Sequence, residues 1–163
     1  MVPDIHPGVG GLVHELEAAH GSFLAVVASL DAEQVGRPRL VGEWGLREIV
    51  AHLGYWAGSA AEALHQAELG SAAAFGQGEA AVDERNEVVA RVARETDLAM
   101  VRAREEAAFG ALLDRVRRAD PAWLEEETGT GETVGFVVRD DGADHYREHA
   151  AEIRVAIGRG DAG

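Results

Sequence analysis

Residues 45–69 read GLREIVAHLGYWAGSAAEALHQAEL, and their apolar side chains recur at the three- and four-residue spacing of an α-helix. This stretch therefore predicts a long helix with one broad apolar face. The face comprises Ile49, Val50, Leu53, Trp56, Ala60, Ala63 and Leu64. Small residues at 70–78 follow the stretch and predict its end.

Three further segments have helical periodicity: residues 9–30, 83–118 and 133–157. Residues 31–43 contain two glycines and a proline, which predict a connecting loop. No segment alternates between apolar and polar residues over a useful length. The best strand candidate lies at the start of residues 133–157, but its pattern continues into the helical pattern downstream, so we assign the whole segment to one helix.

The segment at residues 83–118 contains a second helix start. Thr96 can cap the free amides of a new helical turn, and Asp97 favours a helix N-terminus. We therefore predict a shorter helix near residues 83–94 and a longer one near residues 97–118.

The composition suits one folded domain. The chain has 163 residues, of which 47% are hydrophobic, and a chain of this length can bury about two-thirds of its surface. Together with the four helical regions, this predicts an all-α, single-domain four-helix bundle over residues 1–163, with loose termini at 1–8 and 158–163.

The charge and the absence of cysteine exclude several classes of function. The chain carries 15 basic and 29 acidic residues, a net charge of -14, which disfavours binding to nucleic acid or to anionic membranes. Without cysteine it has no disulfide and no thiol nucleophile of its own. It also lacks a signal-peptide pattern and an apolar run of about 20 residues. We therefore expect a soluble, cytoplasmic protein that acts on a small molecule.

Three histidines are spaced for metal binding. His145 and His149 lie one helical turn apart, and His52 lies in the predicted helix at 45–69. Three imidazoles from two helices can hold a divalent ion with open positions for substrate, and Asp141 can add a fourth ligand or orient a ring. The alternative is that His145 and His149 face solvent while His52 is a hydrogen-bonded core residue.

Two segments resemble those of a known superfamily. The segment VGEWGLREIVAHLGYW (residues 41–56) resembles the second-helix signature of the DinB/YfiT-like four-helix bundles, and DHYREHAAEI (residues 144–153) resembles their last-helix signature. The resemblance implies a metal site on His52, His145 and His149, with zinc or nickel as the expected ion. The chain departs from many members at residues 141–142, where Asp-Gly replaces Asn-Thr; this change could add a ligand or open room for a different substrate.

The resemblance has two branches. One is similar to the N-terminal domain of mycothiol-dependent maleylpyruvate isomerases, which implies a metal-dependent enzyme that adds water or an external thiol such as mycothiol to an electrophile. These isomerases have a further C-terminal domain, which argues against maleylpyruvate isomerisation itself. The other branch is similar to the ClbS/DfsB-like proteins and implies a metal-free hydrolase. There the same three histidines include the catalytic acid or base, and Trp44, Trp56 and Tyr146 line the substrate pocket.

We favour the metal-dependent enzyme, with His52, His145 and His149 as the catalytic, metal-binding residues. Its role would be detoxification, self-resistance or a small-molecule pathway. A third class stays open, a non-catalytic bundle that binds a small ligand. A homodimer is also expected from the resemblance, with the exposed face of residues 83–118 as the candidate contact.

Overall fold

The computed structural model describes residues 7–160, which form an all-α bundle. A single 3-10 turn, Ala72–Ala74, follows the third helix, and a π-helical segment, Arg139–Asp144, joins the last two helices without a break. The described part of the chain contains no β-strand. The α-helices are α1 (Pro7–Ala28), α2 (Ala32–Gly36), α3 (Leu46–Glu68), α4 (Val82–Arg94), α5 (Leu98–Arg118), α6 (Pro121–Leu124), α7 (Val134–Val138) and α8 (His145–Gly160).

The bundle is built from α1, α3, α5 and the continuous α7–α8 run, so the predicted fold class is confirmed. Helix α3 contacts α5, α7 and the π-helical segment, whereas α4 packs on the outside of α3. Helix α1 closes the bundle against α5 and α8. The core is mostly apolar, as expected for a packed bundle. Its largest fully buried side chains include Leu16, Phe23, Ile49, Leu53, Leu112 and Ile153.

The region at residues 31–43, predicted as a loop, contains the short helix α2. Its start is fixed by a capping box. The Asp31 carboxylate accepts from the backbone N–H of Gln34, and the side-chain oxygen of Gln34 accepts from the backbone N–H of Asp31. The pattern Asp-x-x-Gln was the signal in the sequence. The predicted break between α4 and α5 is present, but Thr96 does not cap α5, because its hydroxyl donates back to the Val92 carbonyl at the end of α4.

The predicted last helix is one continuous helical run, but it is not α-helical throughout. Thr133 caps its start by accepting from the Phe136 N–H, and the π-helical segment interrupts the α-helical spacing just before α8. Gly142 lies in this segment and is buried, and a Cβ there would come within 2.7 Å of the Leu16 side chain. The glycine therefore faces the core, and the expectation that it opens room at the site was wrong.

Parts of both segments that were predicted to be loose are helical. Residues 7–8 begin α1, and residues 158–160 complete α8. The other residues of these predicted termini lie outside the described part of the chain. Among residues 7–160, no helix combines the length and the apolarity that crossing a lipid bilayer requires.

A polar cluster lies at the centre of the bundle. The Glu105 carboxylate on α5 accepts from the Tyr146 hydroxyl on α8, 2.5 Å away, and its Oε1 also lies 2.9 Å from Nε2 of His20 on α1. Glu105 is 4% exposed and Tyr146 is fully buried. Helix α3 passes beside this cluster at Gly54, where an added Cβ would lie 3.0 Å from the Glu105 Cα. The glycine thus lets α3 and α5 approach at the point where the carboxylate is held.

Replacing Gly54 with alanine tests this close approach. We expect Gly54→Ala to lower the free energy of unfolding by about 1 kcal/mol or more, because the new methyl group meets the α5 backbone. This effect opposes the gain of about 1 kcal/mol that alanine brings to a helix interior. Denaturant unfolding followed by circular dichroism measures the change.

The matched control is Gly58→Ala, one turn later on the same helix. A Cβ at Gly58 has open space around it, so this variant should be more stable than the wild type by up to about 1 kcal/mol. Equal stabilisation by both substitutions would contradict the proposed close approach of α3 to α5.

Candidate metal centre

Three histidine rings from two helices meet at one end of the bundle. His52 projects from α3, whereas His145 and His149 project from the first turn of α8. Nε2 of His52 lies 2.7 Å from Nε2 of His145. One ring nitrogen from each of the three residues can be chosen so that all lie within 4.8 Å of one another. The two histidines of α8 share a face because they are four residues apart in regular α-helix.

A carboxylate holds the third ring in place. Nδ1 of His149 lies 2.7 Å from Oε2 of Glu152 on the same helix, which leaves Nε2 of His149 for the cluster. Histidines that bind metals commonly donate their second ring N–H to a carboxylate, which fixes the ring orientation. Glu152 is not among the residues predicted for the site, although its position three residues after His149 was the available signal.

The other two rings have nitrogen atoms without partners. Nδ1 of His52 and Nδ1 of His145 are buried and form no hydrogen bond. The backbone carbonyl of Asp141 near the His145 ring and the Asn86 side chain near the His52 ring each raise the pKa of that histidine, against the larger effect of burial. Buried polar atoms are rarely left unpaired, because each one costs free energy. The three imidazoles of the cluster form a donor set that fits a divalent ion.

The environment keeps both rings neutral at pH 7. Burial lowers the pKa of His52 to about 3, and the neighbouring His145 and His149 act in the same direction. Burial likewise lowers the pKa of His145 to about 4, followed by the effect of His149. Neutral imidazole is the form that binds metal ions. The site therefore keeps the imidazoles of His52 and His145 in the form that can bind a metal ion.

Asp141 does not join the three rings. It lines the neighbouring cavity, but the group of possible ligands among the described residues consists of the three histidines. Asp141 lies in the π-helical segment, which interrupts the α-helical spacing on which the prediction depended. Burial raises the pKa of Asp141 to about 7, and the carboxylates of Asp140 and Glu132 add to this effect.

A cavity of about 350 Å³ opens in front of His52 and His145. Trp56 lines it and is fixed there, because its indole N–H donates to Oδ1 of Asn86, 2.9 Å away. The other two aromatic residues predicted for the pocket lie elsewhere. Trp44 packs against His52 from outside the cavity lining, with ring centroids 4.8 Å apart, and Tyr146 is buried in the core against Glu105.

Comparisons with known proteins give one family and one fold neighbour. The family model described as the mycothiol maleylpyruvate isomerase N-terminal domain matches residues 16–151. A solved structure of an uncharacterised protein from Escherichia coli UTI89 is similar, with a TM-score of 0.79 over 94% of each chain and 11% sequence identity. At this identity the likeness concerns the fold alone. No curated protein matches the chain.

The lowered pKa values predict an acid-sensitive structure. Once unfolded, His52 and His145 regain a pKa near 6.5, so the unfolded state binds more protons than the folded state between pH 6.5 and about 4. We therefore expect acidification from pH 7 to 5 to cost up to about 2 kcal/mol of stability for each ring. Denaturant unfolding at both pH values, with a chelator present, measures this change.

The control replaces the two rings by a group that does not titrate. The double variant His52→Gln and His145→Gln should lose less stability than the wild type over the same pH interval. An identical loss in both proteins would show that these two histidines do not carry the depressed pKa values.

Proposed function

The chain belongs to the family of mycothiol maleylpyruvate isomerase N-terminal domains, which is DinB-like, and we propose that it is an enzyme that binds one divalent metal ion on His52, His145 and His149. The observation that carries this proposal is the convergence of three ring nitrogens within 4.8 Å. Zinc or nickel is the proposed ion, because both accept imidazole ligands.

The surrounding residues support the same assignment. Glu152 orients the His149 ring, and burial keeps His52 and His145 neutral. Three protein ligands leave coordination positions open, which is typical of catalytic rather than structural sites. When bound, the ion would supply Lewis acidity and lower the pKa of a thiol or water in the cavity. The chain's own residues hold the donors, exclude bulk water from the back of the site and shape the space for substrate.

We propose that the reaction adds a thiol or water to a small electrophile. The chain has no cysteine, so any thiol must be an external one, such as mycothiol. The cavity of about 350 Å³ suits a small molecule and is bordered by the apolar side chains of Phe75, Val82 and Val137. Detoxification, self-resistance and small-molecule metabolism all fit this chemistry.

A second candidate is a metal-free hydrolase in which the histidines act as acid and base. The contact of 2.7 Å between the Nε2 atoms of His52 and His145 favours this alternative, because a pair of imidazoles can share one proton in a hydrogen bond. In this case His145, which lines the cavity, would transfer the proton to or from substrate.

Metal analysis separates the two candidates. Elemental analysis and calorimetric titration of the chelator-treated protein with zinc should give one ion per chain. His149→Ala should abolish stoichiometric binding, because it removes one of three ligands. Glu152→Gln should weaken binding by about 10- to 100-fold, because it removes the partner that orients His149.

His14→Ala is the matched control, since His14 is exposed on α1 and is not in the group of possible ligands. It should bind zinc like the wild type. If His149→Ala keeps the metal content of the wild type, the metal proposal fails. If none of these proteins binds metal, the acid–base hydrolase becomes the favoured function.

A further inference from the structure

The cavity in front of the histidines has a strongly acidic lining. Beside His52 and His145, the residues that border it include six carboxylates and one arginine, Arg85. This lining is more acidic than the chain as a whole, which has 29 acidic residues to 15 basic ones. The carboxylates belong to Glu79, Glu132, Asp140, Asp141, Asp144 and Glu148.

Arg85 is already engaged by the protein. Its Nη1 lies 2.7 Å from Oε2 of Glu79, and its guanidinium carbon lies 4.7 Å from the centre of the Trp56 ring. Its Nε is buried without a partner and is closed to ligands. The one arginine of the lining therefore neutralises Glu79 and stacks on Trp56, so it does not offer a free site for an anionic substrate.

Asp144 also has a partner, because Nη1 of Arg147 lies 2.8 Å from its Oδ1, but three other carboxylates act on one another. The negative charges of Asp140 and Glu132 both act on Asp141, which borders the same cavity. Carboxylates that disturb one another's ionisation in this way share a common negative potential. A positive group placed 6–8 Å from one such charge in water binds about threefold more tightly, and a negative group binds correspondingly more weakly.

The cavity also has the features of a ligand site apart from its charge. His52 is 6% exposed and borders the cavity. Trp56, Phe75, Val82 and Val137 give the cavity an apolar side. The combination of an apolar side and a carboxylate side suits a small amphiphilic cation.

We propose that the substrate of this cavity carries a positively charged amine or quaternary ammonium group beside an apolar portion, and that the cavity disfavours dicarboxylates such as maleylpyruvate. The proposal rests on the proposed function in one respect, namely that substrate binds in front of the three histidines. The carboxylates would hold the cationic group, and the apolar side chains would hold the remainder against Trp56 and Phe75.

Three pyridines of nearly equal size test the charge preference. They are 1-methylnicotinamide, a cation; nicotinamide, which is neutral; and nicotinate, an anion. Each can quench tryptophan fluorescence, and Trp56 borders the cavity. The variant Trp44→Phe/Trp123→Phe leaves Trp56 as the reporter. If that variant does not fold, the difference in quenching between the wild type and Trp56→Phe gives the quenching of Trp56 alone.

We expect quenching constants to fall in the order cation, neutral, anion, with about a tenfold ratio between cation and anion at low salt. The variant Glu132→Gln/Asp140→Asn/Glu148→Gln removes three charges from the lining and should reduce that ratio at least threefold. All measurements use chelator-treated protein and are repeated with added zinc, and the order should persist. The result therefore does not depend on the outcome of the metal titration.

The matched control removes three exposed charges outside the lining, with Glu33→Gln/Glu95→Gln/Glu106→Gln. Both triple variants change the net charge from -14 to -11, but the control should keep the cation-to-anion ratio of the wild type. The proposal is overturned if nicotinate quenches as well as 1-methylnicotinamide does. It is also overturned if both triple variants reduce the ratio equally, because the preference would then come from net charge alone.

Discussion

The carboxylate of Glu105 joins three helices at the centre of the bundle. A buried carboxylate is costly unless hydrogen-bond donors surround it, and here the Tyr146 hydroxyl from α8 and the His20 ring from α1 supply them. Burial and the negative charge of Glu105 both raise the pKa of Tyr146, so its hydroxyl stays a proton donor. The fourth helix, α3, must pass close by, and Gly54 allows it to do so.

This polar cluster also constrains the candidate metal centre. Tyr146 lies between His145 and His149 on α8, so the hydrogen bond that anchors Tyr146 to α5 limits rotation of α8 about its axis. With that rotation limited, His145 and His149 face His52 on α3. The π-helical segment just before α8 has a wider turn than an α-helix. It therefore connects α7 to α8 while α8 keeps this orientation. The residues that hold the bundle together therefore also set the direction of the site.

The sequence predicted the parts of this arrangement that depend on regular helices. The structure contains the apolar face predicted for residues 45–69. It also places His145 and His149 on one face of a helix, because both features follow from α-helical geometry. Features that depend on irregular backbone or on packing could not be predicted. Asp141 lies in a π-helical segment and its carboxylate is not in the ligand group, and Tyr146 points into the core, where Glu105, 41 residues earlier, accepts its hydrogen bond.

The site end of the bundle contains arrangements that do not favour stability. Two buried imidazole nitrogens lack partners, and several carboxylates share the cavity lining with one arginine that is already paired. At the Glu105 cluster, by contrast, the same chain satisfies a buried charge with two partners. Since proteins keep unsatisfied or strongly perturbed groups mainly where function requires them, this contrast argues that the cavity is maintained for a ligand. Neutral donors at its back and negative charge at its mouth both favour positively charged ligands, a metal ion at the rings and a cationic group nearer the solvent.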